Sequence, residues 1–135
     1  MKLSDLEYNT PLEAKLAELE TLFDSKTEAG VSFYVSSVDA EIVFQANEKS
    51  ITRISAAITQ LGVLSEIGLN VTEYSWTARN NITYTLTITE LKQLGIKMGE
   101  HFTECHRIKC AVRDFLHNSV HPDIVDLEGE WEMQS

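Results

Sequence analysis

A chain of 135 residues with 43% apolar side chains has the commonest size for one domain and can bury a core without metal or disulfide support. Its 21 acids against 11 bases leave a formal charge of −10, which excludes the basic footprint that phosphate-backbone binding requires and argues against a nucleic-acid partner. Two acids interrupt residues 1–7, where a signal peptide needs an unbroken apolar run, and no stretch approaches the roughly 20 apolar residues of a membrane span, so the sequence predicts a protein kept in a cytosol with no membrane partner.

In chain order, Thr10 is placed to cap a helix, Pro11 occupies its first position, and Glu13 completes a Thr-x-x-Glu capping box. Leu12, Leu16, Leu19 and Phe23 then recur at helical spacing with Glu13, Lys15, Glu18 and Glu20 outside the stripe, and Gly30 is suited to a left-handed ending. The spacing predicts an N-terminal amphipathic helix within residues 1–30. It either docks on its own domain or joins a short coiled coil between subunits.

Between residues 31 and 45 the period changes to two. Phe33 and Val35 alternate with Ser32, Tyr34 and Ser36, and Ile42 and Phe44 alternate with Glu41, Val43 and Gln45, which predicts a hairpin with its turn at 37–40. Asn47 can cap the next helix, whose apolar face is Ile51, Ile54, Ile58 and Leu61, and Gly62 and Gly68 weaken its end. A second hairpin follows, with Thr72, Tyr74 and Trp76 on one face of its first strand, Ile82, Tyr84 and Leu86 on one face of its second, and Arg79-Asn80-Asn81 as a turn tolerant of positive φ. Asn70-Val71-Thr72 and Asn81-Ile82-Thr83 fit the glycosylation acceptor pattern, but without a secretory route they read as strand and turn residues.

The last helix opens on a second capping box, Thr87-x-x-Glu90. Leu91, Met98, Cys105 and Val112 repeat every seven residues, Leu94, His101, Ile108 and Phe115 fill the partner positions, and Phe102 and Leu116 widen the stripe. These elements predict an α+β fold in which two β-hairpins form a small antiparallel sheet packed against two helices, with the N-terminal helix added. The expected segments are that helix at 1–30, an α+β domain at 31–118 and an acidic tail at 119–135. The long seam and the N-terminal stripe both lack an assigned cover, which predicts contact between chains, either a homo-oligomer or another protein; the alternative is that they cover one another within the chain.

After Pro122 the segment carries five acids and no base, with Ile124, Val125, Leu127, Trp131 and Met133 interspersed. A chain end of this kind predicts disorder, while the apolar residues also permit a peptide that orders on docking.

Catalytic signals are weak. Cys105 and Cys110 lie five residues apart on one helix and point about 140° away from each other, so they predict reduced thiols, with Cys105 on the apolar stripe and Cys110 off it. His101 and Cys105 at i, i+4 supply two metal ligands where a structural zinc needs four, and Pro122 breaks the His117 and His121 pairing, so no metal and no cofactor is expected. At its seam position His101 is also suited to titrate at an interface. With no Gly-rich phosphate loop, nucleophile elbow or carboxylate pair, the chain reads as non-enzymatic. Trp76 and Arg79 form either a recognition patch at a hairpin tip or an aromatic anchor beside a turn.

The order of parts over residues 33–116 resembles a domain of unknown function found in tailed-phage tail and tail-fibre-assembly proteins. The residues that carry the resemblance are Phe44, Asn47, Lys49-Ser50-Ile51, Arg53-Ile54, Ala57-Ile58, Trp76, Asn80-Asn81, Leu86-Thr87 and Glu90-Leu91. It implies a bacteriophage protein acting by protein contact in tail or tail-fibre assembly, as an assembly chaperone or a minor tail component. Its partner would be a tail or tail-fibre protein, met in the bacterial host cytoplasm or in the virion tail. An acidic inhibitor of a host protein is the competing reading. The candidate partner-binding residues are Leu12, Leu16, Leu19, Phe23, Trp76, Arg79, His101, Ile108, Val112, Phe115 and Trp131.

Overall fold

Helix α1 (Pro11–Ala29) starts where the cap is written, with the Glu13 N–H donating to Thr10 Oγ1 at 3.1 Å. The coordinates are those of a computed structural model that describes residues 10–135; the signal-peptide reading of residues 1–7 lies outside them. Gly30 ends the helix at φ +76°, and an added Cβ there would sit 2.0 Å from the Phe44 carbonyl oxygen, so both conformation and space call for glycine.

Two antiparallel hairpins and two further long helices follow. β1 (Val31–Val35) pairs with β2 (Ala40–Phe44), α2 (Glu48–Glu66) comes next, then β3 (Glu73–Thr77) pairs with β4 (Thr83–Thr87), which leads directly into α3 (Ile88–His117). A 3-10 turn (Pro122–Ile124) and a short helix α4 (Leu127–Gln134) complete the described residues. The fold is α+β. The sequence anticipated one sheet, whereas the hairpins form two separate two-stranded ladders. They touch through a backbone rung from the Arg79 N–H to the Val43 oxygen at 3.0 Å, after which β2 ends and the chain turns into the Asn47 cap of α2, leaving no strand to extend the pairing.

The local signals act as their chemistry requires. Asn47 Oδ1 accepts the Ser50 N–H at 2.8 Å, and α2 ends with the Gly68 N–H on the Ser65 oxygen and the Leu69 N–H on the Leu64 oxygen, a Schellman closure with Gly68 at φ +84°. In the second hairpin the Ala78 N–H bonds the Ile82 oxygen, the Asn81 N–H bonds the Ala78 oxygen, and Asn81 takes φ +66°. That is a type I turn closed by a left-handed bulge residue. Asn80 Oδ1 accepts the Ile82 N–H, so all three residues of the predicted turn have a structural part.

The chain divides into two compact units, and the divisions fall inside α1 and α3. Residues 27–103 form one unit, and among the described residues 10–26 with 104–135 form the other, a partition different from the boundaries at 31 and 118 expected from composition. In the 27–103 unit the core is built from both hairpins, α2 and the front of α3, around Phe44, Ile54, Leu86, Leu91, Leu94 and Met98. Phe44 makes edge-on contacts with Phe33 and Tyr84 at centroid distances of 6.4 and 6.3 Å, an arrangement aromatic quadrupoles favour.

In the second unit α1 lies against the back of α3. Leu19, Phe23, Cys105, Ile108, Val112 and Leu116 are buried, the Phe23 ring meets His106 edge-on, and Lys109 Nζ sits 4.4 Å from the Phe23 centroid while pairing with Glu20 at 3.2 Å. The two apolar stripes therefore cover one another within one chain. This corrects the expectation that they meet across chains, because α1 and the outrunning half of α3 supply each other's cover.

The acidic segment is also ordered, against the expectation of a loose tail. Leu127 and Trp131 are buried one turn apart on α4. The bases it lacks come from other helices: Lys26 pairs with Glu128 and Glu132, Lys15 Nζ donates to the Val125 oxygen at 2.8 Å, and Arg107 Nη2 donates to the Gln134 oxygen at 2.8 Å.

Candidate functional site

In the unit that holds the C-terminal segment, α3 unwinds beyond His117 as the Ser119 hydroxyl and N–H bond the Phe115 and Leu116 oxygens. Pro122 then fixes a single 3-10 turn, its first rung the Ile124 N–H on the His121 oxygen. α4 begins at once, with the Glu130 N–H on the Asp126 oxygen. This tight reversal gathers apolar side chains that no single helix would align. Phe115, Val120, Ile124 and Met133 are 42, 87, 78 and 80% exposed around one concavity of about 580 Å³, which Val125 and Gly129 also line. Scattered exposed apolar residues need no explanation, but four large ones around a common hollow make it the candidate contact surface.

Of the candidate partner-binding residues named from the sequence, Phe115 alone belongs to this surface. Leu19, Phe23, Ile108, Val112 and Trp131 are buried, and Leu12, Leu16 and His101 are half-buried. Trp76 is half-buried in the other unit, 6.3 Å from Tyr74 between ring centroids, and Arg79 is exposed at the hairpin tip with its backbone N–H engaged by Val43. Val120 was not singled out in the sequence, and Ile124 and Met133 stood out only as apolar residues of the acidic segment, because the three follow no period. The signal available was the run of separated large apolar residues on both sides of Pro122.

Two ionisable groups have distinct environments. Partial burial of Glu90 opposes its charge, but the Thr87 and Ser36 N–H groups and the Ser36 and Thr87 hydroxyls outweigh that and hold its carboxyl below the usual glutamate range. Its oxygens accept from the Thr87 N–H at 3.0 Å and from the Ser36 N–H and hydroxyl at 3.0 and 3.1 Å, so the carboxylate closes the α3 capping box and fastens the first hairpin's turn. Burial pushes the Cys105 thiol up, reinforced by Glu104 and opposed by Lys26, so the thiolate a nucleophile needs is disfavoured. Both cysteines are free thiols. Among the described residues no group of three or more His, Cys, Asp or Glu side chains is placed to hold a metal, and no helix is long and apolar enough to cross a membrane.

The geometry thus defines a small acidic α+β protein of two units whose most accessible chemistry is apolar contact. The chain belongs to the family described as a domain of unknown function, DUF4376, whose model matches residues 11–128. That match takes in α1 and the start of α4 as well as the central block. No curated protein and no solved structure matches the chain.

Proposed function

We propose that this protein works by binding another protein in the tail or tail-fibre assembly of a tailed bacteriophage, as an assembly chaperone or a minor tail component, without catalysing a reaction. The observation that carries the contact reading is the exposed hollow formed by Phe115, Val120, Ile124 and Met133. Its apolar walls lie in a chain with a formal charge of −10, so a partner gains there by removing hydrocarbon from water while the surrounding acids discourage self-association. The phage setting rests on the sequence resemblance over residues 33–116.

Sedimentation of the chain at micromolar concentration, alone and with tail and tail-fibre proteins of the same genome, tests this reading. A defined complex that Ile124→Asp weakens is the expected result. Indifference to tail and tail-fibre proteins, or capture of a host enzyme whose activity falls on binding, overturns it in favour of an inhibitor.

A further inference from the structure

The 27–103 unit carries a second feature, independent of the C-terminal hollow and of any phage role. A groove of about 560 Å³ runs between β3 and α2. Its strand wall consists of residues 74–78 in unbroken succession. Successive side chains of a strand point to opposite faces, so five consecutive residues can line one groove only if the groove follows the strand's edge.

That edge is open. The Ala78 N–H bond to the Ile82 oxygen and the pairing of Trp76 with Tyr84 fix the alternation of the ladder, in which Trp76 and Tyr74 turn their backbone groups toward β4. Ser75 and Thr77 therefore turn theirs outward, into the groove, where no described residue bonds them. The opposite wall is one face of α2, formed by Ser50, Arg53, Ala57 and Gln60, with the small side chains of Ala56 and Ala57 leaving the space. At about 3.3 Å per residue the strand wall is roughly 17 Å long, the length of a short peptide strand.

The charge of the groove narrows its occupant. In a chain with ten more acids than bases, the lining holds one cation, Arg53, and no acid. Arg53 makes no hydrogen bond or ion pair with any described residue, although its guanidinium suits bidentate capture of a carboxylate. We propose that this groove binds an extended segment of another protein, added as a strand to the free edge of β3, with an aspartate or glutamate side chain on Arg53. Backbone groups of Ser75 and Thr77 supply the main-chain hydrogen bonds, and the half-buried Tyr74 and Trp76 rings receive an alternate apolar side chain of the segment.

The test uses the full chain, isotopically labelled, titrated with pools of blocked peptides of about six residues in which one position is fixed as Asp, Lys or Ala. The Asp pools should bind about tenfold more tightly than the Ala or Lys pools, with amide shifts concentrated at Ser75, Thr77 and the α2 face. Methylating the peptide nitrogen at alternate positions should abolish binding, while the intervening positions tolerate it. Arg53→Glu should reverse the charge preference. Ser75→Pro, which removes an N–H that β4 does not use, should weaken binding about tenfold with the helical signal retained. Failure of every pool to bind at millimolar concentration, indifference to nitrogen methylation, or an acid preference that survives Arg53→Glu overturns the proposal.

Discussion

Glu90 shows how one side chain serves two backbone groups and a hydroxyl. Its carboxylate satisfies the Thr87 N–H at the start of α3 and the Ser36 N–H in a turn 54 residues earlier, and it takes the Ser36 hydroxyl as well. Because its folded pKa is depressed, the stability it contributes is fully present above the unfolded glutamate pKa of about 4.3 and is lost as the pH falls through the lower folded value. Denaturant unfolding at a series of pH values should therefore show Glu90→Gln flattening the acid end of the stability profile and leaving a deficit at neutral pH. An unchanged acid slope contradicts the assignment. Phe44→Ala should destabilise by about 3–5 kcal/mol, since a fully buried ring touching Phe33 and Tyr84 is removed. Gly62→Ala should act the other way, by about 0.5–1 kcal/mol, because the position is exposed inside α2 and an added Cβ meets nothing within 4 Å. Equilibrium unfolding in urea measures both.

At the scale of elements, sequence and structure agree where the information is local. Thr10, Asn47 and Thr87 cap the helices they were expected to cap, and Asn81 takes the left-handed turn position, because each needs only atoms a few residues away. The stripe from Leu12 to Phe23 was legible for the same reason, through its period. What covers it was not, because Ile108 and Val112 stand about ninety positions along and periodicity carries no address. The acidic segment was misread on similar grounds: taken alone it lacks a base, and Lys15, Lys26 and Arg107 sit in elements read separately. The contact surface was hardest to see, since Phe115 comes from a heptad while Val120, Ile124 and Met133 meet it only after Pro122 reverses the chain. Trp131→Ala should accordingly cost about 3–5 kcal/mol of stability, as for a buried anchor, whereas Met133→Ser should leave stability within about 0.5 kcal/mol and weaken partner binding. A Trp131→Ala variant of unchanged stability removes the anchor role.

At the scale of the whole molecule, α1 and α3 each belong to both compact units, so neither unit can lose its helices without fraying a helix of the other. Trp76 lies in one unit and Trp131 in the other, which makes each a separate reporter. Single-tryptophan variants carrying Trp76→Phe or Trp131→Phe should unfold in coincident transitions with the far-ultraviolet helical signal. Separated midpoints contradict this coupling. Chelator and reductant should leave the midpoint unchanged, because both cysteines are free thiols and the burial of apolar surface supplies the stability.

The discontinuous make-up of the second unit has a consequence for biosynthesis. When translation has passed residue 103, every residue of the 27–103 unit exists, while the faces that bury Leu19 and Phe23 have still to be made. The 32 residues from 104 to 135 take about 2–6 s at ordinary elongation rates. Throughout that interval the N-terminal stripe lacks its cover, and it is predicted to be a substrate for chaperones that hold nascent chains. Ribosomes arrested with residue 103 outside the exit tunnel should carry such a chaperone, and ribosomes arrested after residue 135 has emerged should release it; equal occupancy at both points would show that α1 is covered earlier by other means.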